Sequence, residues 1–417
     1  MENLKEHPEI YSLIKKEEER QETTLCMIPS ENYCSKAVKE ATASVLMNKY
    51  AEGYPKKRYY QGNVFIDDVE LITIEKAKKL FNAEHANVQS LSGSPANMAV
   101  YFALLNLNDK VLAMNLSHGG HLTHGSKVNF SGKLYNFIEY EVEKETEVID
   151  MDKIRKIAEL EKPKLILSGF TAYPRKIDFK EFDDIAKSVN AISMADISHI
   201  AGLIVSEAHP SPLPFTDVIT TTTHKTLRGP RGAIILCKEK FAKDIDKAVF
   251  PGLQGGPHEN IIAAKAVCFE EALKPEFKDY GKQIVKNAKA LAETLMSENI
   301  KLVSNGTDTH LILIDLIRTK SIGKEGFGKD VAVALEEAGI VTNANSIPFD
   351  TSTPFKPSGV RLGTSALTTR GMKENEMLEI GKYIADIINN LSDLELRQKI
   401  RNKVLNLCQN FPIYKND

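Results

Sequence analysis

The sequence has little of what marks several large classes of protein. No apolar stretch approaches the roughly 18 residues needed to span a bilayer. Lys and Arg number 54 against 56 Asp and Glu, so no excess of one sign draws the chain to nucleic acid or to a membrane surface. Its five cysteines (Cys26, Cys34, Cys237, Cys268 and Cys408) are odd in number and form no C-x-x-C pair, which fits neither a disulfide framework nor a zinc site. There is no internal repeat and no low-complexity tract. The opening MENLKEHPEIYSLIKKEEERQ is polar and partly acidic, without a signal peptide's apolar core or the Arg-rich, acid-poor make-up of a transit peptide, so a cytoplasmic protein is expected.

What is present is an ordinary globular composition. Over 417 residues, 42% are hydrophobic and 26% charged, enough for a sizeable core and for two or three domains. Residues 1–22 read as a charged helix, an arm suited to lie on another subunit. IDDVELITIEKAKKLF (66–81) has helical spacing, with acids at its start and lysines near its end, as the helix dipole prefers. From about 85 to 270, apolar runs such as HANVQSL, KVLAMN, PKLILSGF, NAISMAD, TDVITTTTH and GAIILC alternate with helical segments. That alternation predicts βα units and a mostly parallel sheet with helices on both faces, whose ligands bind at the carboxyl ends of the strands. The helical FKDYGKQIVKNAKALAETLMSEN (277–299) opens a second region, with strand-like KLVS, HLILIDL and GVRLGTSAL and helices near 328–338 and 374–391. The expected division is an arm over 1–30, a large domain over 31–276 and a smaller α+β domain over 277–417.

The polar clusters fall where those strands end. In SLSGSPANMAVYFALL (90–105), Ser94 suits an N-cap and Pro95 a first helical position; the motif reads either as an ordinary capped helix or as an anion cradle. NAISMA leads into Asp196, a carboxylate that can be a metal ligand, a helix cap or an ion-pair partner; taken alone, capping is the reading that wins. VITTTTHKTLRGPRG (218–232) sets Lys225 just past a strand, in surroundings too polar for a buried strand end with nothing on it. Cradle, acid and lysine together match the phosphate, pyridine nitrogen and aldehyde of pyridoxal phosphate (PLP). In HGGHLTHG, His118, His121 and His124 stand three residues apart, as three zinc ligands or as a loop whose imidazole stacks on a cofactor; the glycines favour the loop. Arg361, in a strand-like segment, either forks onto a carboxylate ligand or forms an internal ion pair.

Eight stretches then carry a resemblance over nearly the whole chain: PSENY, NKYAEGYPKKRYY, SGSPAN, MNLSHGGHLTHGS, DISHIAGLI, TTTTHKTLRGPRG, FPGLQGGP and SGVRLGT. In this order they resemble the serine hydroxymethyltransferase family, PLP enzymes of the aspartate-aminotransferase-like fold (fold type I). The resemblance implies an α/β chain, with a mostly parallel seven-stranded sheet in a large domain and a smaller α+β C-terminal domain. It implies PLP held covalently as a Schiff base at Lys225, with Asp196 on the pyridine nitrogen and His121 stacked on the ring. Ser92, Gly93 and Ser94 would cradle the phosphate, joined by Gly256 from the partner subunit. Thr171, Ser198, His199, Thr222, His224 and Tyr50 fall on further cofactor positions.

Arg361, assisted by Ser30, falls on the grip for the substrate carboxylate. Tyr50, Glu52 and Tyr60 fall on residues that reach a neighbouring subunit's site, Glu52 as the acid–base group. Lys225, Glu52, His224, Asp196 and Tyr60 make up the implied catalytic set; Leu116, Gly120 and Asn345 fall on folate contacts, and no metal is implied. The implied reaction moves the hydroxymethyl group of L-serine to tetrahydrofolate, leaving glycine and 5,10-methylenetetrahydrofolate, in a homodimer or homotetramer. A folate-independent PLP aldolase acting on threonine or other β-hydroxy amino acids is the rival, and a non-catalytic binding protein on the same scaffold is a second. The chain departs from the family pattern at Gln61, where glycine is usual, and at His258-Glu259-Asn260, where relatives carry LMH or HNH; TAYPR (171–175) also varies.

Overall fold

A computed structural model describes residues 2–414, which divide into two compact units. The larger, Cys34–Val285, is built on seven strands. These are β1 (His85–Asn87), β2 (Lys110–Met114), β3 (Asn136–Tyr140), β4 (Leu165–Gly169), β5 (Ile192–Asp196), β6 (Val218–Thr222) and β7 (Ala233–Cys237). Their spatial order is β1-β7-β6-β5-β4-β2-β3. The pairs β2–β3, β2–β4, β4–β5 and β5–β6 are parallel, whereas β7 runs antiparallel to both β6 and β1. Six strands lie where the apolar runs predict them. The seventh, β3 (NFIEY), is an edge strand whose Asn136 and Glu139 are exposed, so it has no continuous apolar run to mark it.

Successive strand residues feed two cores, one on each face. Leu112, Ile166, Ala195 and Ile219 join one; Val111, Leu165, Met194 and Val218 join the other. A strand buried on both faces must be apolar at every position, which is why these runs show no alternation. Burial of each such Ile or Leu side chain contributes about 1.5–3 kcal/mol. Three helices bear on the site: α1 (Val64–Phe81), α2 (Gly93–Leu104) and α3 (Glu259–Ala272). In α1 the predicted dipole pattern holds, with Asp67 in the first turn and Lys78 and Lys79 in the last, and Asn82 ends the helix in the left-handed region at φ 54°. At α2 the cap lies two residues earlier than the spacing predicts: Ser92 is extended (φ −161°, ψ 177°), the helix begins at Gly93, and Pro95 is its third residue.

The smaller unit joins residues up to 33 with those from 286 onward. Its antiparallel sheet consists of β8 (Lys301–Leu302), β9 (Leu311–Asp315), β10 (Asn343–Asn345) and β11 (Gly359–Gly363), in the order β8-β9-β11-β10. Leu25–Cys26 pairs with Ile340–Val341, tying the N-terminal segment to this unit. Arg370, 2% exposed, donates to the carbonyls of Gln21, Glu22, Thr24, Cys408 and Phe411 and so fastens both ends of the chain. A cation suits helix C-termini, where carbonyls lack partners. The helix Pro8–Glu22 buries none of its residues.

Candidate active site

Every parallel strand of the larger unit except the edge strand β3 ends in a residue or loop that the motifs single out. Asp196 is the last residue of β5. Its Oδ2 accepts from Asn97 Nδ2 (2.9 Å) and lies 3.3 Å from His124 Nε2, while its Oδ1 accepts from the Ser198 backbone N–H (3.1 Å). Burial by itself would raise the Asp196 carboxyl, but His124, His121 and Asn97 outweigh it and hold the group well below the usual carboxylate range. Asp196 is therefore a fixed negative charge at the sheet's carboxyl edge.

The start of α2 supplies the opposite polarity. Ser92 makes no capping hydrogen bond through its side chain, so the first N–H groups of the helix are not answered from within it. Space there is close: a Cβ on Gly93 would lie 2.9 Å from the Thr222 methyl. Thr222 is in turn fixed to Ser198, its N–H donating to Ser198 Oγ at 3.1 Å. The cradle and Asp196 are thus braced by the same pair of residues.

Threonines on both sides of Lys225 are tied down by hydrogen bonds. Thr220 Oγ1 donates to Asn97 Oδ1 (2.6 Å), Thr223 Oγ1 to Pro230 O (2.6 Å) and Thr226 Oγ1 to the His199 carbonyl (3.0 Å). The backbone closes on itself too, with Gly229 N donating to Thr223 O (2.7 Å) and Thr223 N to Gly232 O (3.0 Å). Arg228 takes a left-handed conformation (φ 63°) and stacks its guanidinium 4.7 Å from the Tyr280 ring centre. The result is a stiff turn that presents a half-buried Lys225 three residues past β6. Burial, then the Arg231 and Lys225 charges, lower the pKa of His224 to about 3, so its imidazole is neutral at physiological pH; its Nδ1 is buried without a hydrogen-bond partner.

After β2, the loop 115–125 carries His121. The three imidazoles serve different partners: His118 Nδ1 accepts from Val142 N (3.4 Å), His121 Nδ1 meets Thr123 Oγ1 (2.8 Å), and His124 meets Asp196. They do not converge as zinc ligands, and among the described residues no group of three or more His, Cys, Asp or Glu is arranged to hold a metal ion. Gly120 has no room for a side chain, since a Cβ would lie 2.3 Å from Met114 O. Thr171, just past β4, donates to Gly120 O (2.9 Å) and fixes that loop, while Leu116 is exposed at its rim.

Tyr50, Glu52 and Tyr60 belong to a hairpin formed by Gly53–Tyr54 and Lys57–Arg58. Tyr50 and Tyr60 pack edge to face, 5.1 Å between ring centres, and both are about half exposed. The glycines of LQGGP face this hairpin: a Cβ on Gly255 would lie 3.1 Å from Glu52 Oε1, and one on Gly256 3.2 Å from the Tyr50 ring. The Glu52 charge raises the Tyr50 phenol above its ordinary pKa. Gln254 joins the same turn to the segment between β1 and the cradle, accepting from Leu91 N (3.2 Å) and donating to Gln89 O (2.9 Å). Gln61 is exposed.

Three candidates belong to the smaller unit. Arg361 is central in β11, between Leu313 of β9 and Asn343 of β10, and its Nε donates to Asn343 Oδ1 (3.2 Å). Burial lowers its pKa to about 10. Ser30 follows Pro29, against which Gly363 packs so closely that a Cβ there would lie 2.5 Å from Pro29 Cα. Asn345 ends β10.

Motif reading left out Asn97, Thr123 and Thr220, which with His124 form the network under Asp196. The visible signal was the unused third histidine of HGGHLTHG and the asparagine of SGSPAN, both within motifs already singled out. The donor set fits pyridoxal phosphate on its own chemistry. A helix N-terminus takes an anion, a carboxylate held ionised takes a protonated ring nitrogen, and a lysine on a stiff turn takes an aldehyde.

A family model described as serine hydroxymethyltransferase matches residues 4–384. The chain belongs to that family, whose members are PLP-dependent transferases of fold type I. The α/β architecture with its mostly parallel seven-stranded sheet agrees with that membership. The family links serine–glycine interconversion to folate-borne one-carbon transfer.

Proposed function

We propose that this chain catalyses the reversible transfer of the hydroxymethyl group of L-serine to tetrahydrofolate, giving glycine and 5,10-methylenetetrahydrofolate. The observation that carries the reading is Asp196, a buried carboxylate held ionised at the sheet edge, in one unit with a helix N-terminus that Ser92 does not cap through its side chain and with the Lys225 turn. Pyridoxal phosphate, when bound, supplies an electron sink for the bond broken at the substrate Cα.

The remaining steps belong to the protein's own side chains. Ser92, Gly93 and Ser94 receive the phosphate, with Gly256 from a neighbouring subunit. Asp196, held ionised, would pair with a protonated ring nitrogen and so favour the cationic form of the ring that draws electrons from the substrate, with no reorganisation of the carboxylate. His121 covers the ring face; Thr171, Ser198, His199, Thr222, His224 and Tyr50 shape the pocket; Lys225 holds the cofactor covalently. His224, neutral at working pH, donates or accepts without adding charge beside Lys225. Arg361, with Ser30, forks onto the substrate carboxylate and turns the reacting bond to the cofactor face, a positioning effect. Glu52 moves the proton of the serine hydroxyl, with Tyr60 beside it, and Leu116, Gly120 and Asn345 contact the folate.

The same reading makes the chain a cytoplasmic homodimer or homotetramer with shared sites. Val45, Met47, Tyr59, Val64 and Phe65, exposed around the hairpin, support this, because a soluble protein seldom leaves such a set uncovered. Among the described residues no helix is long and apolar enough to cross a membrane. Glycine formation from L-serine by the PLP-loaded protein, with and without tetrahydrofolate, tests the proposal. Strong dependence on folate is expected. Equal rates without it would transfer the reading to an aldolase acting on β-hydroxy amino acids.

A further inference from the structure

Buried charge gathers beside the hairpin that carries Glu52. Arg58 Nη1 donates to the carbonyls of Ala51 (2.8 Å) and Gly53 (2.9 Å), the two that flank Glu52. Its Nε donates to Asp67 Oδ1 (2.9 Å) and its Nη2 to Glu70 Oε2 (2.7 Å), both on α1. Gln89 doubles the grip, donating to Gly53 O (2.9 Å) and Glu70 Oε1 (2.8 Å). The backbone on either side of Glu52 is therefore held by one guanidinium, and that guanidinium is aimed by two carboxylates.

A third carboxyl stands against the same nitrogen. Glu259 Oε1 lies 3.9 Å from Arg58 Nη1; the residue is 1% exposed, and neither of its oxygens has a hydrogen-bond partner. Glu259 opens α3, two residues after the Gly255-Gly256-Pro257 turn, whose glycines face Glu52 and Tyr50. Two carboxylates already satisfy Arg58, so a third buried negative charge has no counter-ion of its own. Burial, then Glu70, raise the Glu259 pKa to about 8 against the pull of Arg58, with Asp67 raising it further and Lys265 lowering it. Lys265, on the same helix, already donates to the carbonyls of Val88, Ser90 and Ala233.

We infer that Glu259 is a positioning residue that governs the grip of Arg58 on Glu52: uncharged, it leaves Nη1 to the two carbonyls, and charged, it competes for that nitrogen and slackens the hairpin. The inference rests on the reading of Glu52 as the proton-handling group. It deepens that reading by giving the site an alkaline limit set by a residue that does not touch substrate.

The chain contains no tryptophan, so Tyr59→Trp gives a single reporter whose backbone N–H donates to Glu52 O (3.0 Å). Tryptophan emission of this holoenzyme is followed from pH 6.5 to 9.5, with and without Glu259→Gln. A transition centred near pH 8 is expected with Glu259 and its disappearance with glutamine. In the parent protein, kcat is expected to fall about tenfold between pH 7.5 and 9, as one ionisation requires, and to stay level in Glu259→Gln. A transition that persists unchanged in Glu259→Gln, or one absent from both proteins, overturns the inference. Glu52→Gln separates the two readings: full activity in that variant would remove the role given to Glu52, while the emission result would still decide Glu259 by itself.

Discussion

Replacing Asp196 by asparagine asks whether the site needs a carboxylate there or only its shape. Both carboxylate oxygens are accepting: Oδ2 from Asn97 Nδ2 and Oδ1 from Ser198 N–H. An amide offers one acceptor and one NH2 group. Whichever way it is turned, the NH2 meets another donor, either the Ser198 backbone or Asn97. Asn97 cannot rotate to relieve the conflict, because its Oδ1 receives the Thr220 hydroxyl (2.6 Å) and its Nδ2 also donates to Thr123 (2.8 Å). A buried donor left without an acceptor costs about 1–3 kcal/mol, and the charge-assisted character of the lost bond places the total at about 2–4 kcal/mol.

For a unit of this size, each kcal/mol lowers the melting temperature by about 2–4 °C, so Asp196→Asn should unfold about 4–16 °C below the parent without any cofactor. The sign with pH is set by the depressed pKa of Asp196. Its stabilisation is complete above the ordinary carboxylate pKa of about 4 and is lost only as pH falls below that value. The deficit should therefore be level from pH 5 to 8. Calorimetry of the cofactor-free protein reads this directly. Steady-state serine cleavage should fall about 100- to 1000-fold, the scale of one lost electrostatic stabiliser. A variant that melts with the parent, or a deficit that changes between pH 6 and 8, would refute the account of Asp196 as a fixed charge.

Two further outcomes are expected. Arg361→Lys keeps the charge but loses the fork, so the KM for serine should rise about 10- to 100-fold with a smaller change in kcat; an unchanged KM in steady-state kinetics would remove Arg361 from carboxylate recognition. For His224, the folded pKa of about 3 lies below the ordinary 6.5, so between those values the unfolded chain binds a proton that the folded chain refuses. Stability supplied by the neutral imidazole is full above pH 6.5 and is lost as pH falls, so wild type should lose about 2 kcal/mol more than His224→Gln between pH 6.5 and 4.5, read from urea midpoints. Parallel losses would show that His224 is not buried as described.

The parts of the site legible in the sequence were those attached to strand ends. Asp196, Thr222 and the SGSPAN turn each follow an apolar run, and a mostly parallel sheet brings such ends to one edge whatever lies between them. What stayed hidden depends on contacts between distant segments. Asn97 and Asp196 are 99 positions apart, and nothing local in SPANM says that its amide lies under a carboxylate. The cap at Ser92 was missed by two residues because the spacing rewards the polar side chain before proline, whereas this helix begins at a glycine packed against Thr222.

Glu259 makes the same point more sharply. The residue was visible as a letter, but its surroundings were not, and a glutamate opening a helix ordinarily sits in water, where the dipole favours its charge. Here α3 starts under a hairpin whose arginine is already taken by Asp67 and Glu70. The helix position therefore favours the ion while the burial opposes it, and burial prevails. A charge's state is set by what the chain folds over it, and no local reading of the letters around Glu259 supplies that.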